Sequence, residues 1–278
     1  MTYRDILVQV NETAQSRPRA VAAAELARRS GGVITGVFLR SEFLNDVMAT
    51  EVLAYMSPPD IDALLKGHAK SVDEAAEAAR ETFEAAAAEA GVRSEWLTIG
   101  GDNNATLTAC ARRADLVVLP PVVAVSMARW KYSAGDLAMA TGGPVLVVGD
   151  DGCAPDFGRR VLVAWNGSRE SARALRDAWP VLMKAEQVDV VVVSPSGDGG
   201  PDGRLQRHLE HHGCKASIIL DRSRDEDAVE VLRRQARDLG SDLLVMGLFG
   251  RPRVQELILG GVSRDLLGAP PIPLLISH

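Results

Sequence analysis

Asp5-Ile-Leu-Val-Gln-Val-Asn11 and Arg160-Val-Leu-Val-Ala-Trp-Asn166 carry one pattern in two distant parts of the chain: a short apolar run that ends in Asn. Each leads into a stretch rich in Ala, Arg and Glu with helical spacing, Ser16 to Ser30 in one case and Ser168 to Ala185 in the other. Further out, Ala114-Asp-Leu-Val-Val-Leu-Pro120 matches Ser241-Asp-Leu-Leu-Val-Met-Gly247. Gly143-Pro-Val-Leu-Val-Val148 matches Ile272-Pro-Leu-Leu-Ile276. Four correspondences in the same order mark a duplicated unit. Between the copies lies Gly149-Asp-Asp-Gly-Cys-Ala-Pro-Asp-Phe-Gly158, whose Gly, Asp and Pro content reads as a linker. The expected domains are therefore residues 1–149 and 159–278.

Within each copy, short Val/Leu/Ile runs alternate with helical periods. In the first they are Ile6–Val10, Val33–Leu39, Ser94–Ile99, Leu116–Leu119 and Val145–Val148. In the second they are Val161–Trp165, Val188–Val193, Ala216–Leu220, Leu243–Met246 and Ile272–Ile276. This alternation predicts βαβ units, whose right-handed crossovers place helices on both faces of a parallel sheet. Hydrophobic residues make up 46% of the chain but aromatics only 4%, so the cores must be built from Val, Leu, Ile and Ala, as suits buried parallel strands. The fold class is α/β: two tandem doubly wound, Rossmann-like domains, each a five-stranded parallel sheet. The copies differ in the middle. The first inserts Ser41 to Lys66, with Ser57-Pro58-Pro59, before an Ala/Glu helix through Asp73–Ala90. The second has only Gly197-Asp-Gly-Gly-Pro-Asp-Gly203 and a helix ending near Gly213.

The net charge of -6 repels polyanions and argues against nucleic-acid binding. Neither a signal-peptide pattern nor an apolar run of membrane-spanning length is evident, so the expectation is a cytoplasmic chain with no membrane partner. Cys110, Cys153 and Cys214 are odd in number and widely spaced, which signals no disulfide framework and no CxxC metal site.

In open parallel sheets, ligands bind beyond the carboxyl ends of the strands, where the strand order reverses. In the second copy the flanking loops there are Asn166-Gly167-Ser168 and Gly247-Leu-Phe-Gly250. Gly247 and Gly250 lack a Cβ and would let backbone amides approach a ligand. Gly260 and Gly261 precede a helical stretch opening on Val262 and Ser263, whose unpaired amides suit an anion. Arg251 and Arg253 add positive charge. In the first copy the equivalent loop reads Pro120-Pro121, which offers no backbone N–H, so no such cradle is expected there. His208 and His212 lie one helical turn apart and could begin a zinc site, but a surface helix accounts for them without one. Ser168 reads as a helix N-cap rather than a nucleophile. Trp165 and Trp130-Lys-Tyr132 read as packing residues, and Asp221 to Asp227 as a solvated loop. No Ser/His/Asp set or carboxylate pair signals a catalyst.

The whole chain resembles the universal stress protein family in its tandem two-domain form. The resemblance rests on VLVAWNGSRESARAL, SDLLVMGLFGR and LILGGVSRDLLGAPPIPLLISH. It implies the adenine nucleotide alpha hydrolase-like version of the doubly wound fold, and a stress-associated regulatory role. Family members that bind ATP carry Gly, two residues, Gly, nine residues, Gly, then Ser or Thr. Gly247, Gly250 and Gly260 stand at those positions, while Gly261 replaces the Ser or Thr. The resemblance places adenine near Val193 and implies a bound ATP or other adenine nucleotide. Asn166 stands where ATP binders usually have Asp, and brings no charge for a metal, so magnesium would be recruited only through the phosphates. It also implies that the two domains pack as an intramolecular pseudo-dimer through their last strands, with a homodimer as a further arrangement. A nucleotide-free interaction protein of the same fold, and an adenine-nucleotide-dependent enzyme or slow ATPase, are the competing readings.

Overall fold

The apolar runs become strands, and the strands join into one sheet. The computed structural model describes residues 2–41, 56–100, 103–124, 131–194, 203–223, 227–248 and 262–278. The strands are β1 (Asp5–Gln9), β2 (Val33–Leu39), β3 (Arg93–Ile99), β4 (Leu116–Leu119), β5 (Val122–Ala124), β6 (Lys131–Ser133) and β7 (Val145–Val147). They continue with β8 (Arg160–Ala164), β9 (Gln187–Val193), β10 (Ala216–Asp221), β11 (Leu243–Gly247) and β12 (Leu274–Ser277). The described helices are α1 (Ser16–Ser30), α2 (Pro58–Ala90), α3 (Asn103–Ala111), α4 (Ala134–Thr141), α5 (Arg169–Asp177), α6 (Trp179–Leu182), α7 (Arg204–His211), α8 (Ala228–Asp238) and α9 (Val262–Gly268).

The ten-stranded sheet has the order β10-β9-β8-β11-β12-β7-β4-β1-β2-β3, and β5-β6 form a separate hairpin. Each half repeats a 3-2-1-4-5 order, parallel throughout, as the duplication predicts. The two parallel sets are continuous, because β12 pairs antiparallel with β7, Leu275 opposite Leu146. The closing strands are thus edges within their halves but central in the molecule. Pro144 and Pro273 precede these strands, and their carbonyls still accept from Val117 N–H (3.2 Å) and Leu244 N–H (2.9 Å). A proline ahead of a ladder removes no ladder donor.

The repeated Asp of the fourth-strand motif explains itself. The Asp115 carboxylate accepts from the N–H groups of Arg4 (2.8 Å) and Asp5 (3.0 Å). The Asp242 carboxylate accepts from Gly158 (2.9 Å), Arg159 (3.1 Å) and Arg160 (3.1 Å). In both halves this residue ties the start of the fourth strand to the start of the first. The linker is fixed rather than loose: Phe157 is buried and its carbonyl accepts from Arg29 Nη1 at 2.6 Å.

Three elements differ from expectation. Pro58 and Pro59 open α2 instead of lying in an inserted segment ahead of it. Ser57 caps the helix by accepting from Asp60 N–H, and Pro is at home in a first turn. The predicted Ser168–Ala185 helix breaks at Ala178 into α5 and the short α6, with Pro180 in the first turn of α6. Val122-Val-Ala124 pairs with Lys131-Tyr-Ser133 as a hairpin.

Candidate functional site

Val163 pairs with Val245, and Ala164 with Val191, so β8 lies between β9 and β11. From β8 the sheet grows to one side through β9 and β10 and to the other through β11 and β12. The carboxyl ends of β8 and β11 therefore flank the point at which the strand order reverses, where open α/β sheets bind ligands.

Asn166 stands exposed just past β8. Its Oδ1 accepts from Ser168 N–H at 3.0 Å, an Asx turn that aims the chain into α5. Gly167, at φ 74°, occupies the left-handed region this turn needs. Ser168 is the N-cap of α5, accepting from Ser171 N–H at 3.1 Å, as its sequence position suggested. Val193 ends β9, half-buried, beside the end of β10. Gly247 ends β11. A Cβ there would lie 2.3 Å from the Glu170 carbonyl carbon and 2.5 Å from Ser171 N. Gly247 is thus where the first turn of α5 packs against the strand, and its missing side chain makes that approach feasible. Val262 begins α9 half-buried, with Ser263 following it in the same helix. Gly250, Arg251, Gly260 and Gly261 lie outside the described residues, as does Arg253.

Glu170, next to Gly247, is buried and keeps its charge. Burial opposes ionisation, but contacts to Arg169, its own backbone and Ser168 hold the carboxyl below its usual value. Across the sheet edge, Asp221 ends β10 and is buried, not part of a solvated loop. It accepts from Ser223 N–H (3.0 Å), Arg234 Nη2 (2.8 Å) and Gln235 Nε2 (2.8 Å). Its sequence neighbours, Arg222, Ser223 and Arg224, gave no hint of this, because the two long-range partners sit on α8.

A cavity of about 340 Å³ opens on the helical side of this half, between α5 and α7, walled by Trp165, Leu175, Arg176, Leu205 and His208. His208 and His212 are spent on aromatic packing: their rings lie 4.8 Å apart, and His212 lies 4.8 Å from Trp179. Burial, then the neighbouring His212 and Arg176, pull His208 below its ordinary value. Among the described residues no group of three metal-binding side chains occurs. The cysteines are free; burial pushes Cys153 up to about 12 and raises Cys214 as well. Among the described residues, no helix is long and apolar enough to cross a membrane.

In the first half, a second cavity of about 180 Å³ sits at the carboxyl end of β1, lined among others by Gln9, Asn11, Arg19 and Asp150. Sequence reasoning passed over Arg19. The signal was there: Ser16, Arg19, Ala20, Ala23 and Ala27 share the buried stripe of α1, and an arginine on such a stripe is unusual.

Comparison with known proteins adds the following. Residues 158–278 match the profile described as the universal stress protein family. The structure of a universal stress protein from Archaeoglobus fulgidus superposes with a TM-score of 0.72 at 16% identity, covering 100% of this chain and 99% of that one. A putative universal stress protein from Pseudomonas aeruginosa gives 0.56 at 15% identity, over 99% of this chain and 93% of that one. A second Pseudomonas aeruginosa protein, described as functionally unknown, gives 0.55 at 15% identity over 99% and 92%. At these identities the likeness is one of fold, and it extends over both halves. Comparison with curated protein sequences gives no match.

Proposed function

We propose, from the match of residues 158–278 to the universal stress protein family, that the second half of this chain binds an adenine nucleotide beyond the carboxyl ends of β8 and β11. The observation that supports the reading is the strand order, which sets β8 between β9 and β11, so that Asn166 and Gly247 stand where the order reverses and open α/β sheets bind ligands. The glycine spacing Gly247, Gly250, Gly260 supports it from sequence. In this reading Asn166 faces the ribose or base edge, and the Val193 backbone meets adenine. The amides from Gly250 and Arg251 through Gly260, Gly261, Val262 and Ser263 cradle the phosphates, with Arg251 adding charge. ATP, ADP and AMP are all candidates. Asn166 supplies no carboxylate for magnesium, so the phosphates themselves would hold any ion. The role is regulatory binding in the cytoplasm, in response to stress, rather than turnover.

Calorimetric titration of the full chain with ATP, ADP and AMP tests this. Saturable binding is expected, and Gly250→Val should abolish it. Gly261→Ser restores a hydroxyl to the cradle and should tighten binding by about 2- to 10-fold, the yield of one added hydrogen bond. Absence of any heat at millimolar nucleotide overturns the reading in favour of a nucleotide-free interaction protein.

A further inference from the structure

The carboxyl end of β1 in the first half carries a cavity with polar and charged lining. Arg19 is 2% exposed. Among the described residues no carboxylate lies within ion-pair distance of it. Its guanidinium donates to the Gln9 carbonyl (Nε, 3.4 Å), the Gln15 carbonyl (Nη1, 3.0 Å) and Ser16 Oγ (Nη2, 3.0 Å). A guanidinium carries five N–H donors, so two remain for another acceptor. Its hydrogen-bond partners are all neutral and the Asp150 charge acts on it only from beyond ion-pair distance, so its burial is costly and the site that retains it has charge to offer.

Beside it, Gln9 is 3% exposed and its Oε1 has no hydrogen-bond partner. Buried side-chain oxygens are nearly always satisfied, so this acceptor is open to a donor from outside the chain. Asn11 is not open in that way: its Oδ1 already accepts from Thr13 N–H, Thr13 Oγ1 and Ser16 Oγ. Arg19, Gln9 and the exposed Asp150 line the same cavity of about 180 Å³, with Pro120 and Val122 as its apolar wall.

The chemistry of these groups is specific. A paired anionic oxygen fits the free edge of Arg19, and a donor fits Gln9 Oε1 and the Asp150 carboxylate. Pro120-Pro121 withholds the backbone amides that a phosphate would need, whereas a planar carboxylate meets a guanidinium through parallel hydrogen bonds. The volume is below the roughly 300–1,000 Å³ of sites for drug-sized ligands, which suits a small molecule and not a nucleotide. We propose that the first half binds a free amino acid, with its carboxylate on Arg19 and its ammonium between Gln9 Oε1 and Asp150.

The test is calorimetry of the full chain against the standard amino acids, with acetate, inorganic phosphate and ATP as controls. At least one amino acid should bind saturably. Asp150→Asn, at an exposed position, leaves the fold intact and should weaken that binding about tenfold, the yield of one charged contact; Arg19→Met should abolish it, with thermal melting confirming that the variant is folded. Gly250→Val should leave it unchanged, so the result is independent of nucleotide binding in the second half. No saturable amino-acid signal overturns the proposal. So does equal binding of acetate, binding of phosphate in place of amino acids, or amino-acid binding unaltered by Asp150→Asn.

Discussion

A methyl group added at Gly247 would lie 2.6 Å or less from three backbone atoms of Glu170 and Ser171. Backbone cannot step aside as a flexible side chain can, so α5 would have to lift from β11. Gly247→Ala should therefore destabilise the nucleotide-free protein by about 1–3 kcal/mol, the usual cost of overpacking, read as a lower urea midpoint at unchanged slope. An unchanged midpoint would show that α5 can shift to accept the methyl group without loss of stability. The sequence places Gly247 at a strand end but not against its neighbour, because the contact is with residues far upstream that come close only once the sheet has formed. Arg19 was hidden differently. Its type reads as surface, and only its place on the alanine stripe of α1 gives its burial away.

The β10–α8 pair is held by one carboxylate. Burial works against the Asp221 charge, but the Ser223 amide and hydroxyl, Arg234 and Gln235 outweigh it and hold the group well below its ordinary value. A carboxylate whose folded value is depressed stabilises fully above its unfolded value, about 3.9, and loses that contribution as pH falls below it. Asp221→Asn should accordingly cost about 1–3 kcal/mol at pH 7, with the gap to wild type narrowing as pH is lowered below about 4, measured by urea unfolding across pH. A gap constant with pH would show that shape, and not charge, is what Asp221 contributes. At this scale the chain was largely legible. The ten sheet strands fall within a residue or two of the Val/Leu/Ile runs, since those runs are long enough to outvote local alternatives. The exceptions are instructive: Pro58-Pro59 is ambiguous between loop and first helical turn until Ser57 is seen to cap it. Val122-Val-Ala124 is too short to declare a hairpin without its partner strand.

Across the molecule, the halves share one sheet through β7 and β12, with Leu146 and Leu275 each 1% exposed at the junction. Other contacts cross the same divide. Tyr3 donates its hydroxyl to the Asp177 carbonyl at 2.5 Å, and Arg173 reaches the Gly142 carbonyl at 2.8 Å. Urea unfolding should therefore be one cooperative transition, the same by tryptophan fluorescence as by circular dichroism. Leu275→Ala, which opens a cavity at the junction, should shift the whole transition by about 2–5 kcal/mol. Two separated transitions would show that the halves fold as independent units. The strand order was readable from the repeat, but the antiparallel join was not, since nothing in either closing strand records the direction of its neighbour. That join also frees the chain from a rule that binds a pair of identical subunits. In such a pair every inherited change appears twice, on both sides of the axis at once. Here the two copies are encoded separately, so the strand ends can differ in their lining, with Pro120 and Arg19 in one half and Gly247 in the other. A single chain thus presents two differently lined strand ends within one continuous sheet.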